Sequence, residues 1–421
     1  MSDSIRIDER ATVGVVGNGP PAIALSLILS GRWPYYQGGH PDAALDARLT
    51  GADTLLEQNL APLCEGITGR GDNPVGRLFD TLHHPMADAG TVRPTCLGLK
   101  ARPDQAVSHR IIGTGPPGGS WHAMPEGMLT LSPGFWMELP GWSLFDWGRS
   151  RGHWLDPAGR LPRARVADYF SDYVPHMGLT EHFRCGERVT TAKPVSDGWL
   201  VTTEGEGARH YQFEKLVLAT GMYDRPRRLG IGGEDMPWVT HRAGGCADGS
   251  GPLLVVGAGL SAADGILAAR AAGREVVHVF VDDPDATPMA RLDPATYPEY
   301  HWLVTLMKGA GELGYVPLSG SRLTAIGDDG GCTLSGPDGK GSVTLAGATG
   351  NRVAVLIGSD PDLGFLQAEL PSVDGQLQVD PYTFRVGPSG LYAMGPLAGD
   401  NFVRFITGHA LGVARDILFG G

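Results

Sequence analysis

Gly17-Asn18-Gly19 and Gly257-Ala258-Gly259 are the residues of this chain whose type and spacing point most directly to chemistry. Val15-Val16 leads into the first and Pro20-Pro21-Ala22 follows it; Val255-Val256 leads into the second and Leu260-Ser261-Ala262 follows. In such a turn the first glycine allows a tight strand-to-helix reversal, and the second lets the backbone approach a pyrophosphate. A small third residue, Ala22 or Ala262, lets helix and strand pack closely. The phosphate then rests on unpaired N–H groups at the helix N-terminus. One glycine turn is weak evidence, because such turns are common. Two in strand–turn–helix contexts imply two dinucleotide sites, the arrangement that passes hydride between a nicotinamide and a flavin. Gly17, Gly19, Pro20 and Ala22 are the expected FAD-side residues, and Gly257, Gly259 and Ser261 the nicotinamide-side ones.

Other segments extend these sites. Gly118-Gly119-Ser120-Trp121 follows an apolar strand: Gly118 and Gly119 let backbone lie against a flat ring system, and Trp121 covers it. A buried tryptophan in a turn-rich loop is the plainer reading. Leu218-Ala219-Thr220-Gly221 runs into a Thr-Gly turn of the kind that joins two dinucleotide domains, and Ile357-Gly358-Ser359-Asp360-Pro361 matches it as the exit. Asp400, Asn401 and Phe402 precede the last helix. There Asp400 can accept from a flavin ribityl chain while the helix N-terminus faces the cofactor, or Asp400 or Asn401 can simply cap the helix. An acidic residue about 20 positions after the first turn normally takes the ribose hydroxyls. Positions 37–42 hold Gln37, His40 and Asp42 instead, with Gln37 and Asp42 as the substitutes.

Tyr297-Pro298-Glu299-Tyr300-His301 is the most reactive-looking cluster away from the glycine turns, so Tyr297 and His301, with Asn401, are the candidates for direct chemistry. His241 is a candidate lining for an interdomain cleft. No metal-ligand spacing is present. The five cysteines form no Cys-x-x-Cys pair, which disfavours a flavin-linked disulfide reductase. Trp136, Trp142 and Trp147 read as core or pocket lining, where aromatic walls help exclude water from a reactive flavin.

The elements that position these residues follow from pattern and composition. A chain of 421 residues forms two or more domains. Its 63 glycines recur in turns without a strict period, which excludes collagen-like structure. A net charge of −12 without a basic block argues against nucleic acid or an anionic membrane as partner. The opening MSDSIRIDER has no apolar core, and no apolar run reaches the ~20 residues of a membrane span. A cytoplasmic protein with free thiols is expected.

Strand, turn and helix span 11–30, a second short strand falls at Trp33–Tyr36, and an apolar strand at 110–112. An amphipathic helix covers Arg165–Met177. Strand signals at 189–191, 199–203 and 216–221 precede Gly249-Ser250-Gly251, a plausible boundary. The second dinucleotide unit has Glu275–Val281 as its second strand and closes near Val353–Gly358. A strand at Gly390–Met394 and a helix at Phe402–Leu418 end the chain. The expected fold is three-layered α/β with two Rossmann-like dinucleotide-binding domains. The FAD-binding domain is discontinuous, 1–245 and 350–421, with an NAD(P)H-binding domain at 250–349 inserted in it.

These motifs give the chain a resemblance to the oxidative stress-induced growth inhibitor family, itself similar to flavin-containing monooxygenases and the ornithine and lysine N-hydroxylases. The resemblance covers nearly the whole chain. It rests on Gly17-Asn18-Gly19-Pro20, Gly69-Arg70-Gly71-Asp72-Asn73-Pro74-Val75 with Leu78-Phe79-Asp80, and Gly118-Gly119-Ser120-Trp121. It continues through Leu131-Ser132-Pro133-Gly134, Tyr297 to His301, and Gly399-Asp400-Asn401-Phe402-Val403-Arg404-Phe405. It implies a single-component (class B type) monooxygenase in which NAD(P)H reduces FAD. Reaction with O2 then forms a C4a-(hydro)peroxyflavin that oxygenates a small molecule at nitrogen, sulfur or a carbonyl. The cofactor carries the hard step, so no acid–base constellation is required of the protein.

Two departures stand out. Relatives place basic residues after the second strand of the nucleotide unit, suited to the 2′-phosphate of NADPH; here Asp282-Asp283 follows, leaving NADPH or NADH open, with Arg291 as the substitute cation. The Baeyer–Villiger fingerprint is only approximated by Ile231-Gly232-Gly233-Glu234-Asp235 and His241. The alternatives to a monooxygenase are a non-catalytic FAD-binding regulatory protein and the flavin-linked reductase. Pocket walls are expected from 121–147 and 291–307.

Overall fold

The computed structural model describes residues 6–420 apart from 52–53, 206, 337–338, 346–347, 374–375 and 388–389. The first strand, Glu9–Val16, lies between two parallel neighbours, His109–Gly113 and His210–Leu218. Phe183–Cys185 pairs parallel with His109–Gly113 on one side, and Leu391–Ala393 pairs parallel with the end of His210–Leu218 on the other. The antiparallel strands Gly198–Gly205 and Glu187–Val195 complete a seven-stranded sheet. Val13, Val15, Ile111, Leu216, Val217 and Leu218 are wholly buried, as a sheet covered on both faces requires. The helix Pro20–Leu29 is buried at all ten residues. It packs against the last helix, Val403–Phe419, which in turn lies along the helix Pro74–His83.

The residues expected at Trp33–Tyr36 do form a strand, Arg32–Tyr36, but it does not lie beside Glu9–Val16. It pairs antiparallel with Leu97–Ala101 in a separate two-stranded sheet. Pro34 supplies the reason: without an N–H it cannot complete the ladder of a central strand and is confined to edges. The place beside the first strand goes to His109–Gly113, so the chain from 32 to about 106 is an excursion out of the dinucleotide fold.

The chain divides into two compact units. The first comprises Met1–His122, Leu129–Met222 and Pro361–Gly421; the second comprises Ala123–Met128 and Tyr223–Asp360. The second has a five-stranded parallel sheet, in the order Val239–Thr240, Val353–Val355, Leu253–Val256, Val276–Phe280 and Tyr315–Ser319. Its limits are wider than the expected 250–349, for two reasons of pairing. Val239–Thr240 joins the sheet beside Val353–Val355, and Arg225–Pro226 pairs antiparallel with Ser359–Asp360. Residues 223–245 and 350–360 therefore pack with this unit. Among the described residues no helix is long and apolar enough to cross a membrane.

Candidate functional site

The first glycine turn shows what each residue is for. Gly17 sits at φ +104°, and a Cβ there would lie 2.2 Å from the Ala219 carbonyl oxygen, so the fold itself demands glycine. Gly19 is different. Its backbone is extended (φ −71°, ψ −178°), and an added Cβ would meet only Pro21 Cδ at 3.7 Å. Nothing in the chain needs Gly19; the space before the helix does. The helix Pro20–Leu29 has no side-chain cap and no acidic residue in its first turn, so the positive end of its dipole is left for an anion. Pro20 and Pro21 hold the first two helical positions and carry no N–H. The donor set is thus narrower than the usual helix N-terminus, leaving Ala22 and the turn itself.

Gly118-Gly119 is brought directly onto this turn. The Asn18 carboxamide Nδ2 donates to the carbonyls of Gly115 at 2.6 Å and Pro116 at 3.2 Å, and the Gly118 N–H donates back to the Asn18 carbonyl at 2.9 Å. Gly118 and Gly119 have φ +114° and +59°, and a Cβ on Gly119 would lie 3.2 Å from Gly19 Cα. Trp121 is half-buried, with its ring 6.1 Å from that of Phe170.

The expected ribose contact looks different once the strand order is known. The end of the strand beside Glu9–Val16 is Gly113, and a side chain there would collide with Asn18, whose carboxamide lies 2.3 Å from the position of a Cβ. No carboxylate stands at this point. Asp42 instead caps the helix Ala43–Leu49, accepting from the N–H groups of Ala44 and Leu45. His40 Nε2 bonds the Thr81 carbonyl, and Gln37 packs over Gly98.

At the chain's end, Asp400 is 4% exposed and accepts from His409 Nε2 at 2.8 Å. His409 Nδ1 accepts from the Gly395 N–H at 3.0 Å, which fixes the ring proton on Nε2. The residue at the cap of Val403–Phe419 is Phe402, with no capping side chain, so Asp400 turns inward to His409 and does not cap. Asn401 and Phe402 are exposed beside that open N-terminus. The buried hydroxyls of Thr220 and Thr407 have no hydrogen-bond partner, and Gly221 (φ +79°) has nothing within 4 Å of a Cβ. Orphan hydroxyls, an uncapped helix and an unobstructed second glycine fit a bound dinucleotide.

The second turn repeats the logic. Gly257 (φ +126°) would place a Cβ 2.2 Å from the Leu356 carbonyl oxygen, whereas Gly259 (φ −89°, ψ −179°) would meet nothing within 4 Å. The helix Leu260–Ala271 is uncapped and without an early acid, and Leu260, Ser261 and Ala262 keep their N–H groups. Sequence reasoning missed His278, wholly buried on Val276–Phe280. Its Nε2–H donates to the Gly257 carbonyl at 2.6 Å and its Nδ1 accepts from the Tyr315 hydroxyl at 2.6 Å. Burial pushes its imidazole down to about 4, so it holds the turn as a neutral ring. The available signal was a polar ring inside the apolar run Glu275–Val281. Asp282 is exposed just past that strand, while Asp283 caps the short helical turn Pro284–Ala286. Arg291 Nη2 reaches the Ala286 carbonyl at 3.4 Å.

Tyr297 and His301 lie in the second unit, at the start of the helix Pro298–Met307; Asn401 lies in the first. His301 Nε2 donates to the Leu292 carbonyl at 2.6 Å, Tyr300 donates to Asp264 at 2.7 Å, and Trp302 donates to Glu312 at 3.1 Å. These contacts anchor the helix. His241 likewise donates from Nε2 to the buried Glu234 at 3.0 Å, which also accepts from the N–H groups of Leu229 and Gly230.

A second missed cluster joins two segments of the chain. Arg404 is 2% exposed and makes a forked ion pair with buried Asp80, its Nε at 2.8 Å, while Nη1 reaches Asp88 at 2.9 Å. Trp136 lies under the guanidinium at 4.1 Å. Among the described residues no group of three or more metal-ligating side chains is present, and all five cysteines are unpaired. Burial raises every thiol: Cys64 and Cys332 to about 11, Cys246 to about 12, and Cys96 and Cys185 in the same direction.

Residues 97–395 match the pyridine nucleotide-disulphide oxidoreductase family. The human oxidative stress-induced growth inhibitor 1 is 37% identical, over 97% of this chain and 95% of that protein. Human oxidative stress-induced growth inhibitor 2 is 34% identical, over 96% and 92%. Among solved structures, a bacillithiol disulfide reductase from Staphylococcus aureus superposes with TM-score 0.65 at 16% identity, over 97% of this chain and 98% of that one. An ornithine hydroxylase from Pseudomonas aeruginosa gives TM-score 0.59 at 13% identity, over 97% of each chain. Both share the fold, two Rossmann-type dinucleotide units on one polypeptide. The chain belongs to the oxidative stress-induced growth inhibitor family, within the flavin-dependent pyridine nucleotide-disulphide oxidoreductases that use FAD and NAD(P)H.

Proposed function

We propose that this protein is an FAD-dependent, NAD(P)H-using monooxygenase whose partners are O2 and a small organic molecule. The observation that carries the choice is the state of its thiols. A two-dinucleotide enzyme of the disulfide type needs a redox cysteine pair with an accessible thiolate. Here the five cysteines are unpaired, four are buried, and burial raises all of their pKa values. Oxygen is then the acceptor that requires nothing further of the side chains. Free thiols also suit a reducing compartment, the cytoplasm.

Bound FAD and NAD(P)H would supply hydride transfer and the reduction of O2. The chain's part is to bind, orient and shield. Gly19 and Gly259 keep the space before their helices clear, and the dipoles of those helices hold the phosphates. Gly118-Gly119 presents bare backbone beside the first phosphate turn, with Trp121 next to it to keep water away. His409 holds its proton at Nε2 against Asp400, which orients that carboxylate beside the open N-terminus of the last helix.

The test is a labelled turnover. Purified protein with FAD should consume NADH or NADPH with O2, and product formed under 18O2 should carry one labelled atom. A variant with all five cysteines replaced should turn over equally well. Loss of turnover in that variant, with FAD still bound, would point instead to thiol chemistry. The competing reading is a non-catalytic FAD-binding protein, favoured by Gly113 at the point where a ribose-binding acid is usual. Tight FAD binding without stimulated nucleotide oxidation would support it.

A further inference from the structure

The carbonyls of Gly115, Pro116 and Pro117, just ahead of Gly118, all point to side-chain donors. Asn18 Nδ2 takes the first two. The third accepts twice, from His122 Nε2 at 2.9 Å and from the Ser171 hydroxyl at 3.2 Å. A carbonyl only accepts, so the His122 ring proton is on Nε2. Neither His122 nor Ser171 belongs to a dinucleotide motif.

The helix Arg163–His176 delivers this contact. Phe170 and Ser171, seven and eight positions after Arg163, return to its side of the helix. Phe170 Cβ lies 3.2 Å, and His122 Nε2 3.0 Å, from where a Cβ on Gly118 would stand. Arg163 Nη1 reaches the carbonyls of Trp121 and His122, each at 3.4 Å. The helix is itself anchored. The Tyr169 hydroxyl accepts from the Leu139 N–H at 2.9 Å and donates to the Trp142 carbonyl at 2.6 Å, and Asp172 accepts from the Trp147 indole at 2.8 Å.

Peptide planarity carries the effect onward. In a trans peptide the C=O of one residue and the N–H of the next point in opposite directions. With the Pro117 carbonyl turned to His122 and Ser171, the Gly118 N–H must face the other way, and it donates to the Asn18 carbonyl at 2.9 Å. One peptide plane thus ties the helix Arg163–His176 to the turn at Gly17-Asn18-Gly19.

We propose that His122 and Ser171 are positioning residues for FAD: by holding the Pro117 carbonyl they keep Gly118-Gly119 pressed on the first glycine turn, an inference that rests on reading that turn as the FAD site. Either donor satisfies the carbonyl alone. Losing both frees the plane to rotate toward water, and the Gly118 N–H then leaves Asn18. The FAD-free protein tolerates this as a local opening. FAD binding must reverse it.

FAD titration of the full chain, followed by flavin fluorescence and visible absorption, tests the pair. His122→Leu and Ser171→Ala should each lower FAD affinity less than about twofold, and the double variant about tenfold, more than the product of the two. The double variant should also alter the absorption band of the bound flavin. His122→Gln keeps an amide donor at the place of Nε2; combined with Ser171→Ala it should hold FAD within about twofold of wild type. In the FAD-free proteins, only the double variant should exchange amide hydrogen faster in the peptide containing Gly118, with melting temperatures equal within about 2 °C. Losses that merely multiply, failure of His122→Gln to rescue, unchanged exchange at Gly118, or a lowered melting temperature of the double variant would each overturn the proposal. Wild-type protein that binds no FAD would overturn the reading of the turn itself.

Discussion

Each turn contains one glycine that the fold requires and one that it does not. Gly17 and Gly257 sit at positive φ against carbonyl oxygens, whereas Gly19 and Gly259 have extended backbone and open space. Structure and function are therefore separable by substitution. Gly19→Ala should leave the melting temperature of the FAD-free protein within about 2 °C and lower FAD affinity about tenfold or more, as read by flavin fluorescence. Gly259→Ala should do the same to the apparent affinity for nicotinamide while sparing FAD. Equal loss of stability in the apo proteins would show that these methyl groups disturb the fold itself. A further residue-scale expectation concerns Asp282, exposed past the end of Val276–Phe280, where a carboxylate accepts from ribose hydroxyls and repels a 2′-phosphate. NADH should be preferred over NADPH, and Asp282→Ser should raise KM for NADH about tenfold while narrowing the preference. A wild-type preference for NADPH would contradict this.

At the scale of elements, the helices Pro74–His83 and Val403–Phe419 are locked by the ion pair of Asp80 with Arg404. Both partners are buried, so removing one strips the other of its main counter-charge, leaving Asp80 with His84 alone or Arg404 with Asp88 alone. Arg404→Met should cost about 3–5 kcal/mol in urea denaturation. The double variant Asp80→Asn with Arg404→Met should cost less than the two single changes added together. The register of this pairing was not legible in the sequence. Asp80 and Arg404 are 324 positions apart, and an Asp in one amphipathic helix reads as solvated until the second helix covers it. The same holds for the sheet. Arg32–Tyr36 and His109–Gly113 are both short apolar strands, and only the assembled sheet shows that the one interrupted by Pro34 is excluded. The positions weighed for a ribose acid, 37–42, follow Arg32–Tyr36, the strand that does not lie beside Glu9–Val16.

At the scale of the molecule, buried neutral histidines in both units set the response to acid. Burial drives His109 to about 3, His278 to about 4, and His83 well below the usual 6.5. Unfolded histidines take up protons near 6.5 and these folded ones do not, so their stabilisation is complete above that pH and is lost as pH falls. Glu138 works in the opposite sense. Its folded carboxyl titrates at about 8 against an ordinary 4.5, so its share of stability is lost as pH rises through that window and regained on acidification. Three histidines against one glutamate leave a net slope from these groups that rises from about 1 kcal/mol per pH unit near pH 6.5 to about 2.5 near pH 5.5. Urea midpoints measured at pH 7.0 and 5.5 should fall accordingly, and constant midpoints over that range would refute the burial of these rings.

The two glycine turns, the Thr220-Gly221 connection and the two-nucleotide architecture were all readable from residues alone. Each depends on conformations settled within a few neighbouring positions, and glycine is the residue that can adopt them. Other features arise where segments far apart in the chain desolvate one another. Folding alone decided which strand lies beside Glu9–Val16, that Gly113 and not an acid ends it, and that Asp400 turns to His409. It also decided that His83, His84 and Glu138 line one cavity. Local backbone geometry is written in the order of residues; burial, and the pairing of charges it enforces, exists only once the chain has packed.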